Sequence, residues 1–72
     1  MTELGLYFVK KSISKAAVSN RTGISRSRLS ELTLNPSTHL RAKELYLIAL
    51  AIDVDPCEVL KEIYRDIKLL EK

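Results

Sequence analysis

The chain has 72 residues, 46% hydrophobic and 29% charged, which fits one small globular domain and excludes a disordered chain. Cys57 is the only cysteine and His39 the only histidine, so neither an internal disulfide nor a metal cluster can support the fold. The net charge of +3 is divided unevenly: residues 1–43 carry eight basic and two acidic side chains, residues 44–72 four basic and seven acidic. A basic N-terminal half beside an acidic C-terminal half suggests a polyanionic partner, with nucleic acid first. The longest apolar run, Leu45 to Ile52, is far below the roughly 20 residues that span a bilayer. No basic region leads into an apolar stretch at the N-terminus, so a cytoplasmic protein is expected.

Two glycines, two prolines and the absence of alternating strand patterns predict an all-α fold of five helices. The first helix is expected from Thr2 or Glu3 to Lys11, with Leu4, Tyr7 and Phe8 on one face and Gly5 as a weak point that frays its first turn. The second follows Ser14, whose hydroxyl can cap it, and stops at Gly23, a residue suited to the left-handed conformation. The third follows Ser25 and ends near Asn35-Pro36. Its strong apolar positions are Leu29 and Leu32 alone, so Arg26, Ser27, Ser30 and Glu31 must look outward.

After a loop from Asn35 to Leu40, the fourth helix is expected over about Arg41 to Ile52, apolar nearly all round, with Asp53 tolerating the left-handed turn that ends it. Asp55-Pro56-Cys57-Glu58 marks the start of the fifth, with Asp as cap and Pro in the first turn. The 3-4-3 spacing of Leu60, Ile63, Ile67 and Leu70 extends that helix to about Leu70, and Val59 is placed toward the core.

Lys15 to Leu34 has the layout of a helix-turn-helix: two short helices and a tight turn at Gly23, small Ser19 where the helices approach, and apolar Val18, Ile24, Leu29 and Leu32 inside. With the segment Gly23-Ile24-Ser25-Arg26-Ser27-Arg28-Leu29-Ser30 and the later Leu45–Pro56 stretch, the chain resembles the lambda-repressor/Cro-like (XRE-type) helix-turn-helix regulators over roughly residues 4 to 64. It departs from their usual pattern at Lys15, where Gln is common, at Ser19 for Ala, at Asp53 for Gly, and in a longer loop before the fourth helix.

The resemblance implies a compact five-helix domain that binds double-stranded DNA as a dimer and regulates transcription. Carried onto this chain, the base-reading positions fall on Arg26, Ser27 and Glu31, and the phosphate positions on Ser14, Lys15, Ser25, Arg28, Asn35 and Arg41. Arginine suits guanine O6 and N7, and a carboxylate in the groove tolerates mainly cytosine N4 donors. Glu31 has an equally good reading as a surface residue paired with Arg28 or Ser27.

Surplus apolar side chains suggest a twofold homodimer through Tyr46, Leu50, Ile67 and Leu70; the alternative is that Ile67–Lys72 folds back on its own domain or frays. No cofactor, small-molecule ligand or enzymatic role is expected, because no phosphate loop or nucleophile constellation is present. Cys57 reads as a structural thiol and His39 as a loop residue. Beside a repressor on a palindromic operator stand two other readings: an antitoxin that captures a toxin and regulates its own operon, and a protein-interaction module without DNA binding.

Overall fold

The computed structural model describes residues 1–70 and places five helices in one body: α1 (Glu3–Lys10), α2 (Lys15–Thr22), α3 (Arg26–Leu34), α4 (Ala42–Ala51) and α5 (Pro56–Ile63). The described residues contain no strand. α1 packs on α3 and α5, α2 on α3 and α4, and α4 on α5. Leu4, Phe8, Val18, Leu29, Leu32, Ile48, Val59 and Ile63 meet in the common core, with Ile13, Ile24, Leu40, Ile52 and Val54 closing its edges.

Local chemistry explains most of the helix ends. The hydroxyls of Ser14 and Ser25 accept from the backbone N–H groups of Ala17 and Arg28, at 3.2 and 3.1 Å, each satisfying one free donor of the first turn. Gly23 closes α2 at φ +79°, and Asp55 accepts from the Cys57 N–H at 2.9 Å to start α5. α1 and α4 end alike but without glycine. Ser12 at φ 54° and Asp53 at φ 59° take the left-handed position, while the next residues, Ile13 and Val54, donate back to the Phe8 and Ala49 carbonyls at 2.8 and 3.0 Å.

Gly5 is no fraying point. The Thr2 hydroxyl accepts from the Gly5 N–H at 3.0 Å and donates to the Leu32 carbonyl at 2.7 Å, while the Thr2 N–H donates to the Thr33 carbonyl at 2.9 Å. Gly5 is buried where α1 crosses the end of α3, and a Cβ there would collide with the Thr33 carbonyl. The glycine is required by that close approach, a tertiary demand that outweighs helix propensity.

The fifth helix is shorter than its apolar spacing suggests, since it stops at Ile63 with Tyr64 as cap, instead of continuing to Leu70. Ile63 is the last of the spaced apolar residues to reach the core, and beyond it Ile67 is 70% and Leu70 99% exposed. A short helix depends on burying an apolar face, and past Ile63 this face is left largely in water, Ile67 touching only the rim of a groove. Two surface ion pairs, Lys10–Glu62 at 2.9 Å and Glu3–Arg65 at 3.0 Å, join α1 to the end of α5, where solvent screening leaves them little energetic weight.

Candidate DNA-binding face

α2, the Gly23 turn and α3 form the helix-turn-helix unit. Val18, Leu29 and Leu32 are buried on its inner side, and Ile24 is partly buried beneath the turn. Thr22 tightens the junction, its hydroxyl donating to the Val18 carbonyl at 2.7 Å and accepting from the Ile24 N–H at 3.1 Å. This packing fixes which face of α3 points away from the core. Arg26, Ser27 and Glu31 are all exposed, as their spacing requires.

The Arg26 side chain makes no hydrogen bond or ion pair among the described residues, so its guanidinium is free to meet an external acceptor. Ser27 stands beside it in the first turn of α3. Glu31 pairs with neither Arg28 nor Ser27. Its Oε2 accepts from the Asn35 side-chain amide at 3.1 Å and lies 3.4 Å from the Thr38 hydroxyl, so the carboxylate is drawn toward the loop after α3. Asn35 also accepts from the Ser37 N–H at 3.0 Å, which closes the turn at Pro36.

Of the other candidate contact residues, Ser14, Ser25, Asn35 and Arg41 are exposed and Lys15 is half-buried. Ser14 and Ser25 stand at helix N-termini, where free backbone N–H groups and the helix dipole favour an anion. Arg28 is different. Its Nε and Nη2 donate to the two carboxylate oxygens of Glu44 at 2.8 and 2.9 Å, and Nη2 also donates to the His39 carbonyl at 2.9 Å. The Arg28 guanidinium holds the Glu44 carboxyl below its ordinary range, chiefly through these hydrogen bonds and against the opposing effect of burial.

Sequence reasoning did not find Glu44. It lies 16 positions from Arg28, on a helix that otherwise reads as apolar, and no local spacing links them. Arg21 is likewise committed inside the domain, donating to the Ala51 carbonyl at the end of α4. The basic N-terminal half therefore presents fewer free cations than its composition suggests.

A mostly apolar groove of about 580 Å³, lined by Leu4, Leu32, Leu40, Ile63 and Ile67, lies on the inner side of α3, away from Arg26. Among the described residues no group of His, Cys, Asp or Glu could hold a metal ion, and no helix is long and apolar enough to cross a membrane.

Of the expected dimer contacts, Tyr46 and Leu50 are about half exposed on the outer side of α4, while Ile67 and Leu70 lie beyond the end of α5. No curated protein and no solved structure gives a significant match to the chain. The sequence pattern of the Cro/C1-type HTH DNA-binding domain does match, over residues 7–63, which takes in the second half of α1, all of α2 to α5 and so the whole helix-turn-helix unit. The chain belongs to the Cro/C1-type helix-turn-helix family of DNA-binding domains.

Proposed function

We propose that the chain is a non-catalytic transcriptional repressor that binds a palindromic operator as a homodimer, with α3 in the major groove of each half-site. The observation that carries this reading is the exposed Arg26 guanidinium, unpaired among the described residues, on the outward face of a helix whose opposite face is anchored by Leu29 and Leu32. Arg26 is assigned to guanine, with Ser27 and Glu31 completing the base-reading set. Glu31 would exchange Asn35 and Thr38 for a cytosine amino donor. Ser14, Lys15, Ser25, Asn35 and Arg41 are assigned to phosphate, where they position the domain without reading sequence.

Dimerisation is assigned to Tyr46 and Leu50 together with Ile67 and Leu70, apolar side chains that the domain leaves in water. One helix-turn-helix covers only a few base pairs, and two copies about 34 Å apart read successive turns of one duplex face. The test is selection from a random duplex pool, followed by titration across a salt series and sedimentation of the free and bound chain. Enrichment of an inverted repeat bound by two copies supports the proposal. A steep salt dependence without enrichment would leave a nonspecific binder, and a single copy on a non-repeated site would remove the dimer.

A further inference from the structure

Glu44 is 9% exposed and uses both carboxylate oxygens: Oε2 accepts from Arg28 Nε, and Oε1 accepts from Arg28 Nη2 and from the Arg41 backbone N–H at 3.0 Å. Arg28 Nη2 reaches the His39 carbonyl as well. One α3 side chain thus grips both the exit of the 35–41 loop and the first turn of α4. Asn35 and Arg41, the two phosphate contacts assigned outside the helix-turn-helix, stand at the ends of that loop.

We propose that Arg28 and Glu44 form a positioning pair for DNA recognition. Arg28 directs its forked donors at Glu44 and the loop instead of at a phosphate, and so fixes the spacing between Arg26 and Ser27 in the groove and the backbone contacts of Asn35 and Arg41. A planar guanidinium donating two parallel bonds to one carboxylate is a geometric restraint that a lysine cannot reproduce. The proposal rests on the reading that α3 enters the major groove.

The two roles available to Arg28 predict different behaviour in Glu44→Gln. If Arg28 were a phosphate contact held back by Glu44, this variant would release it: affinity for every duplex would rise, the salt slope would steepen by about 1, and the preference for the selected duplex would stay constant. If the pair positions the reading head, affinity for the selected duplex falls relative to a random duplex by roughly tenfold, because misplaced base contacts lose discrimination first. A purely structural role would reduce the folded fraction and scale both affinities equally, leaving the ratio unchanged.

The experiment titrates the full chain on the selected and a random duplex between 50 and 200 mM salt, conditions over which phosphate contacts show clearly. It compares wild type, Glu44→Gln, Arg28→Lys and the exchange Arg28→Glu with Glu44→Arg, with circular dichroism to follow folding. A fall in the selected-to-random ratio in Glu44→Gln and Arg28→Lys, with partial recovery in the exchange variant, is expected. A ratio unchanged in the folded single variants overturns the proposal, and Arg28→Lys decides alone if Glu44→Gln fails to fold. A wild-type chain with no preferred duplex overturns the major-groove reading itself, an outcome separate from failure of the pair alone.

Discussion

Replacing Gly5 with alanine sets two physical effects against each other. On helix propensity alone, Gly5→Ala in the first turn of α1 should stabilise the domain by up to about 1 kcal/mol. The structure predicts the opposite sign, because the added Cβ would point at the Thr33 carbonyl and the Met1 side chain. Met1 is exposed and can move aside at little cost. Thr33 cannot, since it is buried, its hydroxyl donates to the Leu29 and Ser30 carbonyls, and its own carbonyl accepts from Thr2. Forcing α1 away from α3 carries an overpacking cost of about 1–3 kcal/mol and weakens a hydrogen bond with a net value of about 1 kcal/mol. After subtracting the propensity gain, Gly5→Ala should destabilise by about 1–3 kcal/mol. For a domain of this size that lowers the melting temperature by about 5–20 °C. Thermal unfolding followed by far-ultraviolet circular dichroism measures it directly, with a second curve in urea. A melting temperature at or above that of the unaltered chain would refute the claim that glycine is held here by the helix crossing.

Other substitutions test the remaining devices of the fold. Asp53→Gly relieves a left-handed non-glycine residue and should raise stability by about 0.5–1 kcal/mol, read in the same urea titration, the left-handed penalty being partly offset by the entropy of an added glycine. Gly23→Ala should lose about 1 kcal/mol by the reverse argument, although the position has open space around it. The Glu44 carboxyl has its native pKa lowered from the ordinary 4.5, so its pairing stabilises the domain above the unfolded-state value. That contribution is lost as pH falls through the lower native value, and acid unfolding of Glu44→Gln should show a flatter dependence on pH in that window. Ile67→Ser with Leu70→Ser should leave the melting curve of dilute protein unchanged while weakening self-association in sedimentation. An unchanged association constant would take these two residues out of the proposed interface.

What the sequence reveals follows the range of the interactions. Ser14, Ser25, Asp55 and Gly23 act on backbone groups within a few residues, so their roles can be read from local order alone. The buried set of Val18, Leu29 and Leu32 shows itself through helical spacing. The Arg28–Glu44 pair leaves no such trace, because it joins two helices through a loop, and the requirement for Gly5 arises at a crossing about 30 positions away in sequence. Spacing also misleads at the end of α5: the apolar period continues to Leu70, but a helix needs something to bury that period against. Within the candidate site, outward orientation was legible for Arg26, Ser27 and Glu31. The internal engagement of Arg28 and Arg21 was not.

α3 is held in place entirely from behind and from its ends. Leu29 and Leu32 fill the core, the Thr33 carbonyl is tied to Thr2, and Arg28 is tied to α4, whereas Arg26, Ser27 and Glu31 contribute nothing to the buried interior. On the proposed reading, folding and base recognition therefore fall largely to separate letters of the same nine-residue helix, with Glu31, which also holds the loop after α3, serving both. On that same reading, a lineage carrying this domain can change Arg26 and Ser27 one at a time, altering its preferred duplex while its abundance and resistance to proteolysis stay as they were. The same division makes the scaffold a host for transplanted reading heads: outward residues borrowed from another regulator should bring their sequence preference with them, and the helix beneath need not change.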